Sequence, residues 1–410
     1  MHIQCTKGSP LVNTLDHLPL LPLFVHYHYS HHSAPTVPEQ DELGIYHTLR
    51  LHGRIRHLEL ALSPPIWHKV LALMNENFPI LEHLFLSSQF SADSGHGLPL
   101  TLPKAFLAPN LRHLTLSDIG PTKRLRVLTS TVSLVTLTLR DIQTSSYFRP
   151  RLLVARLRSL PLLEELIIEF SIPIPRPSTE RELLGENGAP ITLPSLKVLE
   201  FYGVGAYLES LIAQIRVPLL EKLHITLFNQ IAFVLPHLFY LINNTIMFKV
   251  YRMIVSFHGN FYDISTPMPM IGQNFERSAF SLCVRCKALD WQIDCAAQIC
   301  DALIPTLSGV EELSLNYHQE IPTEMRNGTI DSATWYDLLR TFIGVKRLRI
   351  GDALLEELSR ALQVDEVGLD PGFLPNLQSI RARRNLFTSF IDARQVVGRH
   401  LQFEIERYRR

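Results

Sequence analysis

The sequence predicts an α/β fold built as a curved array, with short parallel strands lining one sheet on the inside and helices packed outside it. Three observations predict it. A short apolar pattern returns at intervals of 23 to 33 residues (134−111 and 196−163 are the extremes of the early copies). A proline stands at a fixed place before many of the copies. The segments ahead of several of those prolines carry a helical rather than a two-residue period.

The pattern is L-x-x-L-x-L. Its anchors are Ile55/Leu58/Leu60, Leu81/Leu84/Leu86, Leu111/Leu114/Leu116, Leu134/Leu137/Leu139, Leu163/Leu166/Ile168, Leu196/Leu199/Phe201 and Leu220/Leu223/Ile225. It resumes at Val310/Leu313/Leu315 and Val345/Leu348/Ile350, with weaker copies at Val250/Met253/Val255 and Leu377/Ile380. The 90-residue gap (310−220) fits three repeats of which two have drifted. Pro79, Pro109, Pro161, Pro194, Pro218 and Pro375 each stand two residues before a first anchor, where proline stops a preceding helix. Helices are expected over Ile66–Asn77, with Val70, Leu71 and Met74 on one face, and around Leu208, Leu211, Ile212 and Ile215. Each unit thus reads as helix, proline stop, short strand and loop. No unit can bury its leucines alone, so neighbours must stack. The expectation is a leucine-rich-repeat solenoid, a horseshoe with about eleven parallel strands. It fills residues 45–385, after an irregular N-terminal segment or cap (1–44) and before a C-terminal cap or tail (386–410). The first 45 residues hold five prolines and show no helical period.

Alternate residues of a strand face opposite sides. The residues between the anchors therefore point outward along the concave sheet and stack into columns. The first column is His57, His83, His113, Thr136, Glu165, Val198 and Lys222. The second is Glu59, Phe85, Thr115, Thr138, Ile167, Glu200 and His224. Phe85 and Ile167 are apolar where water is expected, as partner anchors are. Towards the C-terminus the positions turn basic at Arg347, Arg349, Arg381, Arg383 and Arg384. The candidate partner-binding residues are His57, His83, Phe85, His113, Glu165, Ile167, Glu200, Arg347 and Arg349.

Composition narrows the classes. Of 410 residues 46% are hydrophobic and 19% charged, which supports a large core. Lysine plus arginine and aspartate plus glutamate both number 39, so no global charge draws the chain to nucleic acid or anionic membrane. The apolar stretch Leu18–Val25 is broken by Pro19 and Pro22, unlike a signal peptide, and the run Ile231–Ile242 is too short to span a bilayer. Five cysteines suggest a reducing compartment, cytoplasmic or nuclear, and give the Asn243 and Asn327 sequons no meaning.

The motifs that could carry chemistry are weak. Cys283, Cys286, Cys295 and Cys300 have a zinc-like count. However, a strand puts the first two on opposite sides, and residues five apart on a helix share a face poorly. Buried free cysteine is expected instead. His26, His28, His31 and His32 are read as a solvated loop with no carboxylate nearby to orient the rings. Gly203-Val204-Gly205 lacks the third glycine of a phosphate loop, since Leu208 stands there. With no paired acid and base at motif spacing, no catalytic residue, metal or cofactor is expected.

With the anchors and prolines in view, the chain resembles the leucine-rich-repeat portion of fungal F-box proteins, especially the divergent families of mushroom-forming fungi. The phrases that carry this are NFPILEHLFL (77–86), APNLRHLTL (108–116), SLPLLEELII (159–168), TLPSLKVLEF (192–201) and VPLLEKLHI (217–225). The opening DHLPLLPLF (16–24) is similar to the segment after the F-box in such proteins. No F-box is found, so either the chain continues upstream or the F-box has been lost. The resemblance implies a non-catalytic receptor that recruits a protein for a cullin ubiquitin ligase, with an adaptor as partner only if an F-box exists. A free-standing repeat scaffold and an RNA-binding repeat protein are the alternatives. Nucleic acid is disfavoured by the zero net charge.

Overall fold

In a computed structural model of the chain, the described residues are 2–4, 21–28, 37–88, 100–121, 125–171, 190–228, 233–245, 251–267, 270–271, 274–275, 278–318, 332–362 and 373–406. The fold is α/β with mostly parallel sheet, and the described residues form no closed barrel. The chain forms two compact units, Met1–Leu220 and Glu221–Arg410.

In the first unit the main sheet follows chain order and every pairing is parallel. Its strands are β1 (His2–Gln4), β2 (Leu23–His28), β3 (Ile55–Leu62), β4 (His83–Ser88), β5 (His113–Ser117), β6 (Thr136–Ile142), β7 (Glu165–Phe170) and β9 (Val198–Gly203). A side ladder joins β8 (Ile191–Thr192) to β10 (Ile215–Arg216). The helices are α1 (Glu39–Arg50), α2 (Pro64–Leu73), α3 (Pro150–Leu157) and α4 (Gly205–Ile212), with α1 packed on α2 and α3 on α4. Proline opens α2 and α3, where its missing N–H would have no partner anyway. The expected helix face through Ile215 stops early, because the Ile215–Arg216 backbone is used in the side ladder.

Every described anchor of the repeat pattern is buried, from Ile55 through Ile380. Val250 lies outside the described residues. The conserved position of proline has a more specific cause than helix termination. The first anchor's N–H donates to the carbonyl three residues back: Leu81 to Phe78 (3.3 Å), Leu111 to Ala108 (3.1 Å), Leu163 to Leu160 (3.3 Å) and Leu220 to Val217 (3.3 Å). Each proline is therefore the second residue of a β-turn, the place its fixed φ suits best. Successive turns are tied by side chains. Asn110 Nδ2 donates to the Pro79 carbonyl at 2.6 Å and Ser195 Oγ to that of Pro161 at 2.9 Å.

The 1–44 segment is not irregular throughout. Leu23, Val25 and Tyr27 alternate inward along β2, and α1 begins at Glu39. Only Ile45 and Leu49 mark the period of α1 among its large apolar residues, and its buried Asp41 accepts from Tyr27 Oη at 3.0 Å.

The second unit departs from the expected all-parallel ladder. Its strands are β11 (Lys222–Phe228), β12 (Arg252–Phe257), β13 (Phe261–Ser265), β16 (Phe280–Arg285), β17 (Glu312–Tyr317), β18 (Arg347–Ile350), β19 (Ser379–Ala382) and β20 (Gln402–Ile405). Their order is β11-β16-β13-β12-β17-β18-β19-β20. β13 runs antiparallel to both its neighbours, β12 and β16. The cause is a hairpin: Phe257 pairs with Tyr262, and His258 N donates to the Phe261 carbonyl at 2.9 Å, leaving Gly259-Asn260 as a two-residue turn. A small antiparallel ladder joins β14 (Met270–Ile271) and β15 (Asn274–Phe275). Here the helices are α5 (Pro236–Asn244), α6 (Leu289–Ala302), α7 (Ile304–Leu307), α8 (Ser332–Leu339), α9 (Leu355–Ala361) and α10 (Thr388–Val396). β20 extends the sheet into the segment expected to be a cap or tail. No helix among the described residues is long and apolar enough to cross a membrane.

Leu137 is fully buried in β6. Leu137→Ala is expected to lower unfolding free energy by about 2–5 kcal/mol in urea titrations, and a loss below ~0.5 kcal/mol would take the anchors out of the core. Pro109→Ala should cost only about 0.4–1 kcal/mol, through the entropy of the unfolded chain.

Candidate functional site: a histidine-rich sheet face

The register of the first unit assembles the outward columns. Along the first, Phe24, His57, His83, His113, Thr136, Glu165 and Val198 are successive lateral partners. Along the second the partners are His26, Glu59, Phe85, Thr115, Thr138, Ile167 and Glu200. The columns therefore start one strand earlier than the repeat pattern indicated. His26 and His28 are strand residues, not loop residues. His31 and His32 lie outside the described residues.

The imidazoles stack along the first column. The His57 and His83 rings are stacked nearly parallel (2°), with centroids 4.0 Å apart. His83 and His113 follow at 5.7 Å, and Phe24 flanks His57 at 6.0 Å. His113 Nδ1 lies 3.0 Å from Thr136 Oγ1. Burial pushes His83 down to about 4, and the neighbouring His57 charge adds to it against the opposing pull of Glu59. His113 is lowered by burial and by Arg112. Glu59, for which the sequence showed no role beyond its column, is the hub. Its Oε2 accepts from His26 Nδ1 at 2.5 Å and lies 3.7 Å from both His28 Nε2 and His57 Nε2. Burial alone would raise its carboxyl. The hydrogen bond from His26 and the charges of His26, His57 and His28 outweigh that and hold it below the usual range. The missing carboxylate was a matter of distance along the chain, since Glu59 is 33 residues from His26.

Phe85 is half-buried, with the His28 ring 6.0 Å away. Glu165 is half-buried as well. Ile167 and Glu200 do not present themselves to a partner, because each is 4% exposed. Three of the four neighbours of Ile167 on that face are glutamates with longer side chains, Glu165, Glu169 and Glu200. Arg347 and Arg349, in the second unit, are exposed but engaged. Glu312 pairs with both Arg252 and Arg347 across the ladder, Arg349 pairs with Glu406, Arg381 with Glu404, and Arg383 with Asp352. The basic stretch is thus engaged in ion pairs, of which those of Glu312 with Arg252 and Arg347 and of Arg381 with Glu404 join neighbouring strands, each worth about 1 kcal/mol or less at an exposed position.

The other motifs resolve into packing. A Cβ on Gly203 would stand 2.8 Å from Phe201 Cζ and 3.0 Å from Phe170 Cδ2, so glycine is needed for the fit against this aromatic cluster. Cys283, Cys286, Cys295 and Cys300 are free thiols, of which all but Cys283 are buried, and burial pushes Cys283 and Cys295 up to about 12. Among the described residues only His26, His57 and Glu59 place three ligand atoms within 4.8 Å of one another. Asn243 donates to the Ala302 carbonyl and accepts from Thr306, so the sequon side chain is occupied internally. Compared with protein-family models and with curated proteins, the chain matches none.

Unfolded histidine titrates near 6.5. As pH falls from there to about 4, the unfolded chain takes up a proton that native His83 refuses, so stability falls across this window. His83→Gln is expected to give a shallower loss of urea midpoint between pH 7 and 4.5, measured with EDTA present. Equal slopes would separate acid lability from His83.

Proposed function

We propose that the chain is a leucine-rich-repeat solenoid whose outward sheet face holds another protein, without catalysis of its own, in the cytoplasm or nucleus. The observation that supports this most is the division of labour along each strand. The anchors are sealed in the core, while the alternating positions of β2–β5 carry rings and polar groups in lateral register. Such a face is broad and rigid, and its side chains are released from packing. Phe85 supplies the apolar anchor among His28, Glu59 and Thr115. Recruitment of that protein to an F-box type cullin ligase is the biological role we favour, and its support is the sequence resemblance.

Affinity purification from the native organism tests both halves. Phe85→Ala with Thr115→Lys should weaken capture of the specific partner by roughly 30-fold or more, about 2 kcal/mol, at unchanged circular dichroism. Undiminished capture would place binding elsewhere. Cullin and adaptor peptides should accompany the product of the native transcript, and their absence would remove the ligase link.

A further inference from the structure

We propose that His26, His57 and Glu59 bind a single divalent transition-metal ion, zinc by preference, on the outward face of β2 and β3, with His28 in reach as a further ligand. This goes beyond partner binding and does not depend on it.

Backbone pairing places the donors. His26 on β2 is the lateral partner of Glu59 on β3, and His57 shares the face of Glu59 two residues before it. All three thus stand on adjacent rungs of a parallel ladder, the kind of rigid support on which a ligand set keeps its spacing. Their ligand atoms lie within 4.8 Å of one another, with Glu59 Oε2 between the rings. The site is empty.

The donor set selects the ion. Two imidazole nitrogens and one carboxylate oxygen suit zinc and its borderline neighbours, whereas calcium and magnesium require mostly oxygen ligands. Tetrahedral bonds of ~2.0–2.1 Å put donors roughly 3.3 Å apart. The His57–Glu59 separation of 3.7 Å is already close to that. The His26–Glu59 separation of 2.5 Å must widen, because the ion takes the place of the proton between Nδ1 and Oε2. A neutral His26 keeps that proton by moving it to Nε2, and a protonated His26 releases it to solvent. The side chains of His26, His57 and Glu59 are 27%, 21% and 25% exposed, so an ion can enter from solvent and hold water in its remaining position. His28 Nε2 lies 3.7 Å from the same oxygen on a side chain 56% exposed, within reach of the position that water would hold.

The test uses the full chain stripped with EDTA. Zinc chloride is titrated calorimetrically, and cobalt(II) is followed by its visible ligand-field bands. One ion per chain is expected. His26→Gln, His57→Gln and Glu59→Gln should each weaken binding by about tenfold or more, as loss of a ligand should at least match loss of an outer-shell partner. His113→Gln should leave it unchanged. Circular dichroism confirms folding for each variant, and three separate ligand variants keep the test decisive if one fails to fold. Absence of zinc heat and of cobalt bands in the wild type overturns the proposal. So does binding that survives both His26→Gln and Glu59→Gln, or a cobalt spectrum dominated by thiolate charge transfer, which would assign the ion to cysteines.

Discussion

Lateral register gives each side chain of this sheet its surroundings. Leu58, Leu84, Leu114, Leu137, Leu166 and Leu199 follow one another across six parallel strands, and each is fully buried. Because the strand period is two, a slip of one residue would exchange this leucine row for the histidine and glutamate row. The turn before each strand holds the register. Where it carries a proline, the fixed φ sets the approach, and the Asn110 and Ser195 side chains tie one turn to the preceding one. The face opposite the anchors is therefore in the same lateral register as the core row.

That order has electrostatic consequences. Lateral neighbours in a parallel ladder stand about 4.8 Å apart. Burial lowers His83, the middle of three imidazoles, and the charges that its neighbours His57 and His113 would carry add to that lowering. The same spacing brings the Glu59 carboxylate to two rings of the neighbouring strand, His26 and His28, with His57 two residues back on its own strand, and Glu59 stays ionised in their midst. In the second unit the same rule produces the Arg252–Glu312–Arg347 row, where opposite charges on adjacent strands satisfy each other. Similar backbone thus yields a histidine-rich face in one unit and a row of ion pairs in the other, the difference being which residues alternate with the anchors.

The β12–β13 hairpin shows how local chemistry overrides a repeat. Gly259-Asn260 closes a tight turn between two alternating runs, and β13 then occupies the edge that the next parallel strand would have used. β16 pairs with β13 on one side and with β11 on the other. The drift of the motif between 220 and 310 is the sequence record of that rearrangement.

The repeat pattern by itself determined the strands that carry its anchors, β3 to β7, β9, β11, β17 and β18, and which of their faces is apolar, since a period of two combined with leucine anchors leaves one answer. It also placed His57, His83 and His113 in one column. It did not reveal β2, whose Leu23, Val25 and Tyr27 alternate with phenylalanine and histidines beside two prolines, nor the helix marked only by Ile45 and Leu49. The Gly259-Asn260 dipeptide was a readable hairpin signal, hidden by the search for a thirty-residue period. Only tertiary structure decided that Ile167 and Glu200 are covered, that Arg347 and Arg349 are paired, and that Glu59 meets His26 from 33 residues away. Pairing across the sheet sets those contacts, and the spacing of residues along one strand carries no information about which residue stands beside them on the next.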